Sequence, residues 1–175
     1  MAADDGEGTT EGPTSTQGPT SEDEAAFHRY GEELVDAVDA VIADWVERCV
    51  VTVLVGQGAE VSGAVRAEAV AAGGAARADV VPRLRALLAT DLDAQAVGPL
   101  SLLREAVRYP TEVLAAAGAA PVERDEFAVR AFPDDPFALS PAAFGDVDER
   151  LSEPGMRWGA AKAYVHLARR RTTDD

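Results

Sequence analysis

Side chains that could carry out chemistry are scarce in this chain of 175 residues. Cys49 is the only cysteine, and there are two histidines. The sequence has no glycine-rich phosphate loop, no His–Glu zinc motif and no Gly-x-Ser-x-Gly nucleophile turn. Most nucleophile–base pairs are therefore excluded. We predict no catalytic residue, no metal site and no cofactor, and we favour a non-enzymatic function.

The most suggestive binding signal is a cluster of basic residues near the C-terminus. Lys162, His166 and Arg169 follow one another at four- and three-residue spacing, and Arg170 is adjacent. A helix would place them in one cationic stripe, which could dock an acidic partner, a phosphorylated ligand or RNA. Cations in a final helical turn also complement the helix dipole without any ligand, and this simpler explanation is the one we favour.

A second candidate site involves Arg104 and Arg108, which the spacing predicts to lie one turn apart on a single helix. Together they could clamp a carboxylate or a phosphate, with Tyr109 and Trp158 as an apolar wall. The pocket would lie between the helical core and residues 121–156. The simpler role of these arginines is to pair with Asp or Glu and cover the core.

Two pairs of carboxylates are the remaining raw material for a site. Asp91 and Asp93 flank a leucine, and Asp134 and Asp135 lie between two prolines. Hard cations such as Mg²⁺ bind carboxylate oxygens, but aspartates in such positions also cap helices and stabilise turns. The sequence does not decide whether either pair binds a cation.

The charge of −15 is concentrated near the N-terminus. Seven acidic residues lie between Asp4 and Glu24, whereas residues 25–175 carry 24 acidic and 16 basic groups, a net charge of −8. This balance argues against general binding to nucleic acid or to an anionic membrane. The acidic N-terminal segment does not resemble a signal peptide, and no apolar run is long enough to cross a membrane. We therefore predict a cytoplasmic protein. A charge of −8 is ordinary for a soluble domain, and adaptation to high salt is the second explanation of the acidity.

Helical periodicity dominates the chain after residue 25. Apolar residues recur at three- and four-residue steps through residues 25–55, preceded by a possible capping box from Ser21 to Glu24. Residues 49–55 are also apolar enough for a strand, but no partner strand is found. The next helical pattern covers residues 60–89, where Pro82 either follows a new helix start or kinks one long helix.

The second half of the chain is more irregular. Residues 99–118 form a helical pattern that Pro110 should interrupt and Gly118 should end. Residues 121–156 are rich in Pro and Phe and predict short helical turns held to a surface by large rings, with a helix start at Ser140. In the final helix, five residues are expected to face inward: Trp158, Ala161, Tyr164, Val165 and Ala168.

Three stretches resemble an uncharacterised family of helical proteins from high-GC actinobacteria: DLDAQAVGPLSLLREAVRYPTEVL, DEFAVRAFPDDPFALSPAAFGDVD and WGAAKAYVHLARRR. The resemblance covers about residues 25–171. It implies a bacterial, cytoplasmic, single-domain protein and brings with it no activity and no functional residue. The use of 15 arginines and a single lysine fits a high-GC genome.

We therefore predict an all-α fold, a single-domain irregular helical bundle with a Pro/Phe-rich wrapping segment. Residues 1–22 should be a disordered acidic tail, 23–171 the helical domain and 172–175 a disordered C-terminus. The favoured function is a helical interaction or regulatory protein with a protein partner. The alternatives are an anion-binding protein or enzyme that uses the predicted pocket, and an RNA or nucleoid contact through the basic C-terminal helix. The oligomeric state is not predictable.

Overall fold

A computed structural model describes residues 19–95 and 97–173. In these residues the chain is helical without any strand, so the predicted all-α class is confirmed. Two short 3₁₀ turns, Leu92–Ala94 and Glu149–Leu151, join the helices. The seven α-helices of this part of the chain are α1 (Ser21–Gly56), α2 (Gly63–Ala89), α3 (Pro99–Glu105), α4 (Arg108–Ala116), α5 (Glu126–Ala131), α6 (Phe144–Val147) and α7 (Ser152–Thr173).

The first helix begins one residue earlier than its predicted cap implies. Thr20, not Ser21, is the N-cap, and its hydroxyl accepts a hydrogen bond from the backbone N–H of Asp23 at 3.2 Å. The Asp23 carboxylate in turn accepts from the Thr20 backbone N–H at 2.9 Å, which completes the capping box. Helix therefore starts within the expected 1–22 tail, whose first 18 residues lie outside the described part of the chain.

Helix α1 continues through the ambiguous residues 49–55 and ends at Gly56, so the helical interpretation is confirmed. Its buried face forms the centre of the core, with Leu34, Val38 and Ile42 fully inaccessible to water. Burial of this continuous apolar stripe supplies the main driving force for packing. Helices α2, α4, α6 and α7 pack directly against α1, and α3 packs against α2.

Helix α2 settles the question of Pro82 in favour of one long helix. Pro82 lies inside it on the exposed side, and the carbonyl of Ala78 that loses its N–H partner is on an exposed residue where water can reach it. The buried stripe of α2 packs along α1 and includes Val80, Leu84 and Leu88. Packing on both sides of the proline offsets the missing hydrogen bond.

The predicted 99–118 helix is divided, but not at Pro110. Helix α3 ends at Glu105 and α4 begins at Arg108, so Pro110 occupies the first turn of α4, where its missing N–H has no helical partner to lose. Gly118 ends this region with a φ of 76°, a left-handed conformation that glycine adopts without strain, as predicted.

Residues 121–156 form short helical turns against the core, as expected, but the rings contribute unequally. Phe137 is buried, whereas Phe127 is 77% exposed and holds nothing in place. Part of the attachment is polar instead, because Arg48 of α1 donates to the Val147 carbonyl at 2.8 Å and to Asp148 at 3.0 Å. The arginines at positions 48 and 150 hold the pKa of Asp148 well below its usual range, with Arg150 contributing most.

The predicted helix start at Ser140 is wrong. Helix α6 begins at Phe144, and the Asp146 carboxylate accepts the backbone N–H groups of Ala142 and Ala143, both at 2.8 Å. The Ser140 backbone N–H instead donates to Asp135. A carboxylate three residues into the helix thus fixes its start more effectively than the Ser–Pro sequence.

Helix α7 closes the core by packing on α1 and extends to Thr173, two residues past the predicted domain end. Trp158, Val165 and Ala168 face inward as predicted, and Ala161 is half-buried. Tyr164 is not inward, since 58% of it is exposed. None of the helices in the described part of the chain is both long enough and apolar enough to cross a membrane.

Candidate functional site

A cleft of about 380 Å³ lies where the sequence predicted a pocket, between the helical core and residues 121–156. Helices α3 and α4 form one wall, and the loop that follows α5 forms the other. Arg104, Arg108 and Phe132 line it, together with the carboxylates of Glu105, Asp134 and Asp135. Tyr109 and Trp158, the expected apolar wall, are not among its lining residues, because Trp158 packs inside the core against Phe27.

Arg104 is held in position without a carboxylate partner among residues 19–95 and 97–173. Its Nε donates to the Pro141 carbonyl at 2.9 Å, and its guanidinium lies 5.6 Å from the centre of the Phe132 ring. A backbone carbonyl and an aromatic face orient the side chain but do not neutralise it. Arg104 could therefore bind a carboxylate or a phosphate that enters the cleft.

Arg108 has partners of its own. It donates to Asp79 of α2 at 3.1 Å and to the Tyr109 hydroxyl at 2.8 Å, and it lies on a different helix from Arg104. Asp79 also accepts from Arg83 at 3.3 Å. The two arginines thus border one cleft, but the predicted clamp from adjacent turns of a single helix is not present.

Of the carboxylate pair beside the cleft, Asp134 and Asp135, the second stabilises a turn. Asp135 is buried, and its two oxygens accept the backbone N–H groups of Leu139 and Ser140 at 2.8 and 2.7 Å. These bonds satisfy the buried carboxylate and fix the loop that carries it. Asp134 is exposed. No group of three or more metal-ligating side chains occurs in the part of the chain that the structure describes.

Arg169, from the predicted cationic stripe, binds the other carboxylate pair. Its guanidinium donates to Asp91 at 2.8 Å, to Asp93 at 2.8 Å and to Glu24 at 3.0 Å. These bonds join the end of α7, the start of α1 and the first 3₁₀ turn. The hydrogen bond from Arg169 is the main reason that the pKa of Asp91 falls to about 2.

The other members of the stripe are arranged differently. The Lys162 ammonium lies 5.1 Å from the centre of the Trp158 ring and shields that side of the core from water. His166 and Arg170 are exposed. Arg169 therefore takes part in ion pairs within the chain. Lys162 packs on Trp158, and only His166 and Arg170 of the predicted cationic stripe remain exposed.

An apolar surface on the outside of α7 was missed by the sequence reasoning. Met156, Tyr164 and Leu167 are 69%, 58% and 56% exposed, and Ala160 and Ala163 lie between them on the same side of the helix. We call these five residues the outer face of α7. The three- to four-residue spacing of these side chains could have revealed this surface. The buried face of α7 has the same spacing, however, so the sequence pattern assigned Tyr164 to the buried face.

A shallow groove of about 450 Å³ runs along the outer face, between α7 and α1. Its apolar lining comes from Ala26, Tyr30, Ala160, Ala161 and Tyr164, and Asp23 and Arg157 stand at its edge. Small residues on both helices leave this space open. The groove and the outer face form one continuous apolar surface.

The single cysteine offers no chemistry at these surfaces. Cys49 packs against the core, and burial raises the pKa of its thiol to about 12. A thiol with such a pKa has almost no nucleophilic thiolate at neutral pH.

Comparisons of the chain with known protein families, curated proteins and solved structures found no match. The resemblance to the actinobacterial family stays a prediction.

Proposed function

We propose that this protein is a non-enzymatic interaction protein that binds a protein partner through the outer face of α7. The observation that carries the proposal is the exposure of Met156, Tyr164 and Leu167 along one side of one helix. Single exposed apolar residues are ordinary, but a contiguous apolar surface rimmed by charge is typical of an interaction site.

The geometry of this surface suits another helix. An apolar stripe beside a shallow groove can accept side chains that recur at helical spacing on the partner. Arg157 and Arg171 are exposed and lie beside the outer face of α7, with Glu153 at its N-terminal end. A matching partner would present an apolar helix face flanked by acidic residues near the C-terminal end of α7.

Site-specific photo-crosslinking in cells of the protein's own species tests the proposal. A photoreactive amino acid at Ala163, which is exposed on the outer face, should give a discrete cross-linked polypeptide. The same amino acid at Val70, an exposed apolar position on α2, serves as the matched control and should give none. Cross-linking that is absent at position 163, or equal at both positions, would overturn the proposal.

A second candidate function, the binding of a small anion, is favoured by one observation at the cleft. Arg104 is oriented there without a carboxylate partner in the described residues, while acidic groups also line the cleft. This mixture suits a carboxylate that also carries a hydrogen-bond donor better than a multiply charged phosphate. Contact with RNA through α7 has less support, because Arg169 is already bound by three carboxylates.

Isothermal titration with glycine, acetate and inorganic phosphate tests the cleft. Glycine should bind more tightly than acetate or phosphate, and its binding should be lost in Arg104→Met but kept in Arg130→Met, a control that also removes one positive charge. Arg130 is an exposed residue of α5 and does not line the cleft. If no probe binds, or if both variants weaken binding equally, this second function is excluded.

A further inference from the structure

The outer face of α7 is complementary to itself when a second copy lies antiparallel across it. Along the helix the order is Glu153, Met156, Ala160, Tyr164, Leu167 and Arg171. The acidic end is therefore followed by a large apolar residue, a small one, two large ones and a basic end. Reversing one copy about the level of Lys162 brings the acidic end opposite the basic end and a small residue opposite a large one, with large apolar residues meeting between them.

The register of this pairing follows from helix geometry. An α-helix rises about 1.5 Å and turns about 100° per residue. Glu153 and Arg171 therefore lie at equal distances along the axis from Lys162, and both lie on the same side of the outer face of α7. Across a two-fold axis, Glu153 of one copy then faces Arg171 of the other. In the same register, Ala160 faces Tyr164 and Met156 meets Leu167.

The groove between α1 and α7 adds a shape argument. Ala160 is one of its lining residues, and a methyl side chain takes up little of the space there. Tyr164 of the second copy, placed opposite Ala160, can therefore enter it and bury its ring against Ala26 and Tyr30. A large side chain opposite a small one gives the interdigitation that close packing of helices requires.

The charges at the two ends are available for such a contact. Arg171 forms no ion pair with another residue in the described part of the chain. Among the residues that the structure describes, Glu153 forms an ion pair only with Arg157, one turn away, at 2.5 Å, and the Glu153 side chain is 67% exposed. An exposed pair of this kind is weak and can be shared with a second arginine at little cost.

We propose that the partner of the outer face of α7 is a second copy of this chain, which forms a symmetric antiparallel dimer. This inference rests on the proposed function, because it names the partner of the same surface. The interface is isologous, so each stabilising contact occurs twice and each substitution alters two equivalent contacts.

Analytical ultracentrifugation of the full chain gives the first test. The wild-type chain should shift from its monomer mass of 18.3 kDa to twice that mass between about 1 and about 500 µM. Leu167→Glu should raise the dimer dissociation constant at least about a hundredfold, because two buried leucines are lost. Val70→Glu, the same kind of change on the exposed side of α2, should leave it unchanged.

Charge reversal tests the register itself. Glu153→Arg and Arg171→Glu should each weaken the dimer about fivefold, and the double variant should restore it, because the pair is then reversed and intact. Arg170→Glu is the matched control, since it makes the same charge change on the opposite side of the stripe. Failure of the double variant to recover, or an equal effect of Arg170→Glu, would contradict the register.

The outcomes also separate this inference from the proposed function. If the wild-type chain is a monomer at every concentration, the dimer is excluded. A cross-link from position 163 to a different polypeptide would then still support an interaction through α7, whereas the absence of any cross-link there would remove both proposals.

Discussion

Replacing Gly73 with alanine should separate the two longest helices of the core. A Cβ atom added there would lie 2.5 Å from the Ala43 carbonyl oxygen and 3.1 Å from the Ala43 Cα of α1. These contacts are with backbone, so no side-chain rotation can relieve them. At the neighbouring Gly74 nothing lies within 4 Å of the added atom. The same substitution at adjacent positions therefore isolates the contact between α1 and α2.

The two substitutions should change the free energy of unfolding in opposite directions. Glycine in a helix interior costs about 1 kcal/mol relative to alanine, so Gly74→Ala should raise the free energy of unfolding by about that amount. Gly73→Ala gains the same helix propensity but also overpacks a rigid contact, which costs about 3 kcal/mol where backbone must move. We expect Gly73→Ala to be about 2 kcal/mol less stable than the wild type.

Urea unfolding measures both variants. Far-UV circular dichroism reports the helices, and the fluorescence of the buried Trp45 and Trp158 reports the core, so agreement between the two probes checks that unfolding is two-state. The denaturant midpoint should move down for Gly73→Ala and up for Gly74→Ala at an unchanged slope. Equal stability of the two variants would refute the close approach of α1 and α2 at Gly73.

Two further predictions concern titratable groups. The Arg169 hydrogen bond lowers the pKa of Asp91 from 3.8 to about 2, so its stabilisation is complete above pH 3.8 and is lost as the pH falls towards 2. Arg169→Met should remove this pH dependence and about 1 kcal/mol or less, because the carboxylates are largely exposed; an unchanged stability profile from pH 5 to pH 2 would contradict it. Since burial raises the pKa of Cys49 to about 12, iodoacetamide at about pH 8 should modify it only after unfolding in urea, as followed by mass spectrometry. Rapid modification of the folded chain would show that the thiol is accessible.

The local parts of the fold could be predicted from the sequence because they depend on neighbours along the chain. The apolar period of α1, the left-handed stop at Gly118 and the helical turns of residues 121–156 all follow from local spacing or backbone preference. The capping box was misplaced by one residue, because Thr20 and Ser21 are both good caps and only the observed hydrogen bonds distinguish them.

The candidate site was predictable only in part. The location of the cleft beside residues 121–156 was foreseen, and Arg104 and Arg108 do border it. The direction of each side chain was not, because the break between α3 and α4 rotates Arg108 away from Arg104 and towards Asp79. Helical spacing cannot locate such a break when the proline that signals it is tolerated in a first turn.

The sequence by itself determined the all-α class, the scarcity of catalytic groups and the concentration of acidic charge in the first third of the chain. Tertiary structure alone decided which partner each charge has and which face of α7 is covered. Arg169 and Asp91 are 78 residues apart and meet only because α1 brings both chain regions to one end of the bundle. The physical reason is that helix period defines the faces of a helix, whereas only packing selects which face is buried and which is left for a partner.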